Sequence, residues 1–418
     1  MVHDLCGFRY TSYITNMLHC PNMAPKNKVI TDPRRVDEVL SRGVIVEVLP
    51  DLESFRTLLL SGKRLRIYIG ADPTSPTLHL SHAKNYLLLE ELRRLGHEVF
   101  VLVGSFTALI GDPSDRESAR TRLTPAEIKK NVTSWKKQIG LIMNFNDKEN
   151  PPKFVFNDKW LSKLALTDLV ELASHVTVQH MLERDMFEKR INEQRPIFLH
   201  EFLYPLMQGY DSVELDVDVE LCGTDQIFNA LMGRTLVRKY KNRNKFVVAV
   251  NLMANPRTGD LMSKSRGTGV FLNESPRDMY GSIMAQPDEM IPVLLLNNTR
   301  LSRSEMDSVM FKLSPRDAKM RTAFEIVALL HGKKKAEDAQ KHFVQTFQKK
   351  ETPSDIAEVN IDADALLEDI IQTHKLSPSK SEFRRLVMGG GVRDLETGEK
   401  ITDPKRRILV PISLKLGK

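Results

Sequence analysis

Cysteine is scarce: three residues in 418, and Cys6, Cys20 and Cys222 stand far apart. No Cys-x-x-Cys pair and no Cys/His spacing of a zinc site occurs, so neither a disulfide scaffold nor a structural metal is expected. That favours a reducing, cytosolic-type compartment. No apolar run is long enough to cross a membrane. At 41% hydrophobic and 28% charged residues, the composition is that of a soluble protein of two or three domains. Residues 1–28 lack the basic start and long apolar core of a secretory signal. They are hydroxylated and hold a single acid, Asp4, which faintly resembles a transit peptide, although Arg9 is their only arginine. The compartment therefore reads as cytoplasmic, with organellar import left open. Internal repeats are missing too.

What the chain does have is positive charge in one place. Eleven Lys/Arg against five acids in residues 375–418 leave +6 of the chain's +7 in its last tenth. A basic end on a nearly neutral body suggests a polyanion held by one module, with a merely solvated basic tail as the alternative.

Apolar periodicity predicts the layout. LRIYIG (65–70) and VFVLVG (99–104) read as buried strands, and between them residues 81–95 read as a helix, with Tyr86, Leu89, Leu92 and Leu95 on one stripe and Gly96 as its stop. Strand, helix, strand with continuous apolar strands predicts a parallel sheet covered by helices, and ligands in such sheets bind where strands end and helices begin. Residues 124–200 read as largely helical with breaks at Pro151-Pro152 and Pro196; VELDVDVEL (213–221) reads as a strand. Helical text returns from 280 to 350, a polar linker (KKETPSD) follows, and the last segment mixes short helices with strand-like ILVPISLKL.

Four stretches can carry chemistry. In YIGADPTSPTLHLSH (68–82) a strand ends, a turn follows, and His79 and His82 share the first turn of a helix, where backbone N–H groups and the helix dipole favour anions. GTDQ (223–226) behind a strand suits a ribose and a polar substrate end. LMSKSRGTG (261–269) sets Lys264 among hydroxyls and glycines, as a loop closing over a polyphosphate would. Tyr204, Gln208 and Asp211 in YPLMQGYD put a phenol, an amide and a carboxylate on one helical face in apolar surroundings, and a polar stripe on a buried face must be satisfied. Each stretch alone also has a plain structural reading: helix entry, a strand end, a basic surface turn.

Their order is what narrows the choice. His-x-x-His after the Asp-Pro-Thr turn, then Tyr-x-x-x-Gln-x-x-Asp, Gly-x-Asp-Gln and Met-Ser-Lys-Ser resembles the class I aminoacyl-tRNA synthetases, and within them the tyrosyl-tRNA synthetases, from about Val36 onward. SPSKSEFRRLVMGGGV (377–392) resembles the S-four-type RNA-binding module that bacterial and organellar members carry at this position. The resemblance implies an ATP-dependent ligase joining tyrosine to its tRNA. Tyr68 and Asp211 would meet the substrate phenol. Asp112, Tyr204 and Gln208 would hold its ammonium, and Gln226 would lie by its carboxylate. His79, His82 and Thr74 would contact the ATP phosphates, with Gly70 and Asp72 nearby; Gly223 and Asp225 would meet the ribose. Met262, Ser263 and Lys264 belong to the mobile loop, where Lys264 would neutralise pyrophosphate, with Arg116 and Arg120 as lesser candidates. Lys380, Arg384, Arg385 and Arg393 would bind tRNA. Magnesium would ride on ATP rather than in a protein cage, and no protein-bound metal is expected. A homodimer joined through the insertion is implied.

Two positions depart from the family pattern: Ser81 replaces the glycine of His-Ile-Gly-His, and Leu261 replaces the lysine that opens the loop motif. Weaker ATP binding is the expectation. A tryptophanyl enzyme is the near alternative, disfavoured by the Tyr68 and Asp211 combination. An inactive synthetase-like RNA-binding or splicing factor is the distant one. The expected architecture is a disordered extension (1–35), a Rossmann-like parallel-sheet α/β catalytic domain (36–275) with a helical insertion near 150–200, an α-helical anticodon-side domain (276–350), and a linker with the small α+β S-four-type module (351–418).

Overall fold

The computed structural model describes residues 28–112, 123–262, 269–348, 359–361, 364–395, 397–409 and 412–416. The chain divides into two compact units, Met1–Glu337 and Asp338–Lys418; the sequence reading instead divides it at 350/351 and separates 276–350 from the catalytic part.

The first unit is built on a six-stranded sheet of β1 (Ile45–Leu49), β2 (Arg66–Ala71), β3 (Glu98–Val103), β4 (Lys153–Phe156), β5 (Val219–Gly223) and β6 (Phe246–Val250), in the order β1-β6-β5-β2-β3-β4. Five strands run parallel, while β1 pairs antiparallel with β6 through Val48↔Val248. The sheet is therefore mixed, which corrects the all-parallel expectation: an antiparallel edge strand needs no crossover helix. The central strands are apolar on both faces because helices cover both. Ile67, Tyr68, Val99, Val101, Val103, Val219, Leu221, Val247 and Val248 are all buried.

The predicted helix is Leu80–Arg94, buried along its Ala83, Tyr86, Leu89 and Leu92 side; Gly96 follows with φ 99°, a conformation that ends the helix without a Cβ penalty. Two expectations need correction. The KFVF segment is a sheet strand, so the helical insertion starts after it, running from Asp158–Leu161 through Leu166–Ser174, Val178–Leu182 and Asp185–Asn192. The VELDVDVEL segment is not one strand: residues 213 and 214 close the helix Leu203–Glu214, Asp216 turns the chain at φ 49°, and β5 begins only at Val219.

Described by itself, the second unit packs helices Leu367–Thr373 and Lys380–Met388 with the strand pairs Val392–Asp394/Leu414–Leu416 and Ala365–Leu366/Arg407–Ile408. Its core holds Leu367, Ile371, Phe383, Val387, Val392, Ile401 and Ile408, an α+β layout.

Candidate active site

A cleft of about 1590 Å³ opens at the carboxyl ends of β2 and β5, facing the start of the Leu80–Arg94 helix. It brings together Tyr68, Gly70, Asp72, Thr74, His79 and His82 from the first motif, and Asp112 from the loop after β3. The helix Leu203–Glu214 supplies Tyr204, Gln208 and Asp211; the end of β5 supplies Gly223, Asp225 and Gln226. Ser81, Leu261 and Met262 line it as well. Ser263, Lys264, Arg116 and Arg120 lie outside the described residues.

One wall is a hydrogen-bonded polar stripe. Tyr204 hydroxyl donates to Asp72 Oδ2 (3.0 Å), and Thr107 Oγ1 donates to Asp72 Oδ1 (2.6 Å). Gln226 Nε2 donates to Asp112 Oδ2 (2.7 Å), while Asn229 Nδ2 donates to both Gln226 Oε1 (2.8 Å) and Gln208 Oε1 (3.0 Å). The buried Arg184 guanidinium stands 3.7 Å from Asp112. Asp72, Asp112 and the amide oxygens of Gln208 and Gln226 make this wall rich in acceptors, the chemistry that holds an ammonium.

Deeper in, Tyr68 hydroxyl lies 3.0 Å from Ser212 Oγ, and the neighbouring Asp211 accepts from Trp160 Nε1 (2.7 Å) and Asn157 Nδ2 (3.1 Å). Burial pushes the Asp211 carboxyl up, opposed by those two donors, and pushes the Tyr68 phenol up so that it stays protonated.

The opposite end is suited to anions. His79 N-caps the Leu80–Arg94 helix, its ring centre lies 4.0 Å from that of His82 with the planes inclined at 56°, and its backbone N–H donates to His82 Nδ1 (3.3 Å). Burial depresses His79 to about 4 and His82 to about 3, so both are neutral N–H donors near pH 7. Lys84, buried in the next turn, is lowered to about 8 by its burial, against the pull of Asp225. The chain on both sides of 263–268 is tied to this end. Met262 N–H donates to Met253 O (3.0 Å), and Leu80 N–H donates to Val270 O (3.0 Å), beside the His79–Phe271 bridge.

Of the RNA candidates, Lys380 pairs with Asp369 and Arg384 with Glu368 (2.8 Å), whereas Arg385 and Arg393 are exposed and make no ion pair among the described residues.

Sequence reasoning missed Asn157, Trp160, Thr107, Arg184, Ser212, Glu220, Asn229, Lys84 and Lys245. For Asn229 the signal was present, one helical turn beyond Gln226; for the others no motif spacing announces them.

A mixed, mostly parallel sheet with a nucleotide-suited cleft at its strand ends, two neutral histidines at a helix start and a facing acceptor-rich wall defines an enzyme that brings ATP and an amino acid together. The chain belongs to the class I tRNA synthetases of the tryptophan and tyrosine type, whose family model matches residues 60–348. Its curated relatives carry the narrower name. It is 42% identical over 381 residues to the tyrosine--tRNA ligase of Moorella thermoacetica, covering 89% of this chain and 91% of that protein. It is 39% identical over 378 residues to that of Thermotoga maritima, covering 89% and 92%. Among solved structures, a C-terminally truncated mitochondrial tyrosyl-tRNA synthetase of Aspergillus nidulans shares the fold at TM-score 0.65 and 24% identity, covering 75% of this chain and 94% of that one.

Proposed function

We infer that the chain activates L-tyrosine with ATP and transfers the tyrosyl group to tRNA(Tyr). The observation that carries this is the single cleft in which a phenol-and-carboxylate floor, an ammonium-suited wall and a neutral histidine pair meet. The tyrosine carboxylate attacks the α-phosphorus of ATP and pyrophosphate leaves; the terminal ribose hydroxyl of the tRNA then attacks the acyl carbon and AMP leaves. No general base is required in the first step, because a carboxylate of ordinary pKa is already ionised; positioning and charge stabilisation carry the rate. Tyr68 and Asp211 meet the phenol, Asp112, Tyr204 and Gln208 hold the ammonium, and Gln226 lies at the carboxylate end. His79, His82 and Thr74 serve the phosphates with Gly70 and Asp72 nearby, Gly223 and Asp225 serve the ribose, and Lys264 the pyrophosphate. Magnesium enters as part of the ATP substrate. The cytoplasm is the compartment proposed, on the spacing of the three cysteines.

A homodimer is supported by the insertion. Leu166 and Leu199 are 77% and 80% exposed, and Val170 and Val178 stand out beside them in the same stretch, apolar area that a second copy would cover. The helices of 276–350 are proposed for the anticodon side, and 351–418 as the linker and S-four-type module. For that module the charge pattern makes a specific forecast. Arg385→Ala with Arg393→Ala should weaken tRNA binding about tenfold and reduce the salt slope by about 2, as two phosphate contacts would. Lys380→Ala, whose cation is shared with Asp369, should do less; filter binding at several salt concentrations decides between them, and an unchanged slope in the double variant counts against the module.

The reading as a whole is tested by amino-acid-dependent ATP–pyrophosphate exchange with tyrosine, phenylalanine and tryptophan in parallel. Exchange with tyrosine alone supports it. Folded protein inert with all three would favour the inactive RNA-binding alternative, to which the Ser81 and Leu261 departures already point.

A further inference from the structure

Behind the tyrosine side of the cleft lies a charged pair that the reaction as described does not use. Lys245, immediately before β6, is fully buried; its Nζ donates to the Glu220 carboxylate on β5 and to Ser212 Oγ (2.9 Å). The other oxygen of Glu220 accepts from Gln208 Nε2 (3.1 Å), and Ser212 Oγ in turn lies 3.0 Å from the Tyr68 hydroxyl. The ammonium also stands 5.8 Å from the centre of the Tyr68 ring, on the side that favours a cation.

The surrounding packing makes room for this cation. The helices Leu203–Glu214 and Ile227–Lys241 pack against each other at Gly209 and Gly233. A Cβ on Gly233 would lie 2.5 Å from Lys245 Nζ, 2.7 Å from Ser212 Oγ and 3.3 Å from Glu220 Oε2. Any larger side chain at 233 would expel the lysine. Stability is a poor reason for such an arrangement, since apolar filling of the same space generally does as well as a buried ion pair.

What the pair touches is both ends of one ligand. A carboxylate only accepts, so Glu220 turns the Gln208 amide with Nε2 toward itself and the acceptor Oε1 toward Asn229. That is the orientation an ammonium needs. An ammonium only donates, so Lys245 holds Ser212 Oγ as an acceptor, and through it fixes the Tyr68 hydroxyl at the phenol end.

We propose that Lys245 and Glu220 are positioning residues for tyrosine, a buried ion pair that sets the phenol-binding and the ammonium-binding groups in one frame. The proposal rests on the tyrosine-activating reading. It predicts an effect confined to one substrate, because the pair contacts Tyr68, Ser212 and Gln208 and none of the groups at the histidine end.

The test compares the wild-type full chain with Glu220→Gln and with the charge-free double variant Lys245→Met/Glu220→Gln, each first checked for a cooperative melt. Tyrosine binding is followed by calorimetric titration, and the KM for tyrosine and for ATP by pyrophosphate exchange. The expected result is a tyrosine affinity at least tenfold weaker in both variants, with the KM for ATP within twofold of wild type. A purely structural pair would move both constants together or neither, and either pattern overturns the proposal. If the double variant does not fold, Glu220→Gln decides by the same comparison. Wild-type protein that takes up no tyrosine overturns the underlying reading and the proposal with it. Wild-type uptake beside unchanged variants overturns the proposal alone.

Discussion

Asp211→Ala should lose much of its preference for tyrosine over phenylalanine, through a fall of about 10–10³ in kcat/KM for tyrosine and little change for phenylalanine. The carboxylate is buried and held by Trp160 Nε1 at 2.7 Å and Asn157 Nδ2 at 3.1 Å, so its oxygens are fixed before any ligand arrives. A hydrogen bond from the substrate phenol to this buried carboxyl contributes about 0.5–1.5 kcal/mol, and a buried polar group left without its partner costs about 1–3 kcal/mol more. Together these amount to about 1.5–4.5 kcal/mol, roughly one to three powers of ten. Phenylalanine makes neither contact and so has little to lose. Sites of this kind reject the analogue lacking the hydroxyl by about 10⁴–10⁵, a ratio characterised on tyrosyl synthetases themselves and taken over here as a known property of the family. Because Trp160 and Asn157 lose their acceptor in the variant, a lower melting temperature is expected as well, and kinetics must be run well below it. Exchange rates with each amino acid, measured separately, settle the matter: a tyrosine-to-phenylalanine ratio within threefold of wild type would remove Asp211 from the specificity site.

The two halves of that site were not equally legible. Tyr204, Gln208 and Asp211 could be placed on one face from spacing alone, because a helix repeats every 3.6 residues and the segment around them is apolar. Strands β2 and β3 were legible for a different reason: six-residue apolar runs with β-branched and aromatic residues, bounded by turns, are too short for a core helix. The four-residue β4 was not, since KFVF sits after two prolines in helical text, and only pairing with β3 gives it strand character. The strand reading of VELDVDVEL failed because alternation of acid and apolar residues also suits a helix end followed by a turn; the left-handed Asp216 decides it. Trp160 and Asn157 come from the far side of the sheet, beyond β4, and their role depends on tertiary contact. Lys245 is the hardest case. It stands in KNRNK, text that reads as solvated surface, and it is buried only because two glycines on different helices let those helices approach closely above it. Charge burial of this sort leaves no periodic trace.

The histidine pair carries the other large expectation. His79→Ala and His82→Ala should each lower kcat for tyrosine-dependent exchange by about 10²–10³, the usual loss when one preorganised donor to a developing charge is removed, while the KM for tyrosine stays near wild type. The double variant should fall short of the product of the two, since the ring centres lie 4.0 Å apart and the two would serve the same phosphate group. The His79 ring is partly buried at the helix start, so each alanine variant is checked for a cooperative melt before its loss is read as chemistry. The protonation state gives a second, independent readout. Burial lowers His79 to about 4 and His82 to about 3, so in the folded protein both remain neutral donors across pH 6–8, and kcat should show no limb near 6.5 from either. In the unfolded chain the same imidazoles bind protons near pH 6.5. The unfolded state therefore holds more protons between about pH 4 and 6.5, and the fold should lose stability as pH falls through that window. His79→Ala should flatten part of that decline. His79→Gln, which keeps a neutral N–H donor, should retain more activity than His79→Ala. A rate limb near pH 6.5 that disappears in His79→Ala would mean that the imidazolium, and not the neutral ring, meets the phosphates.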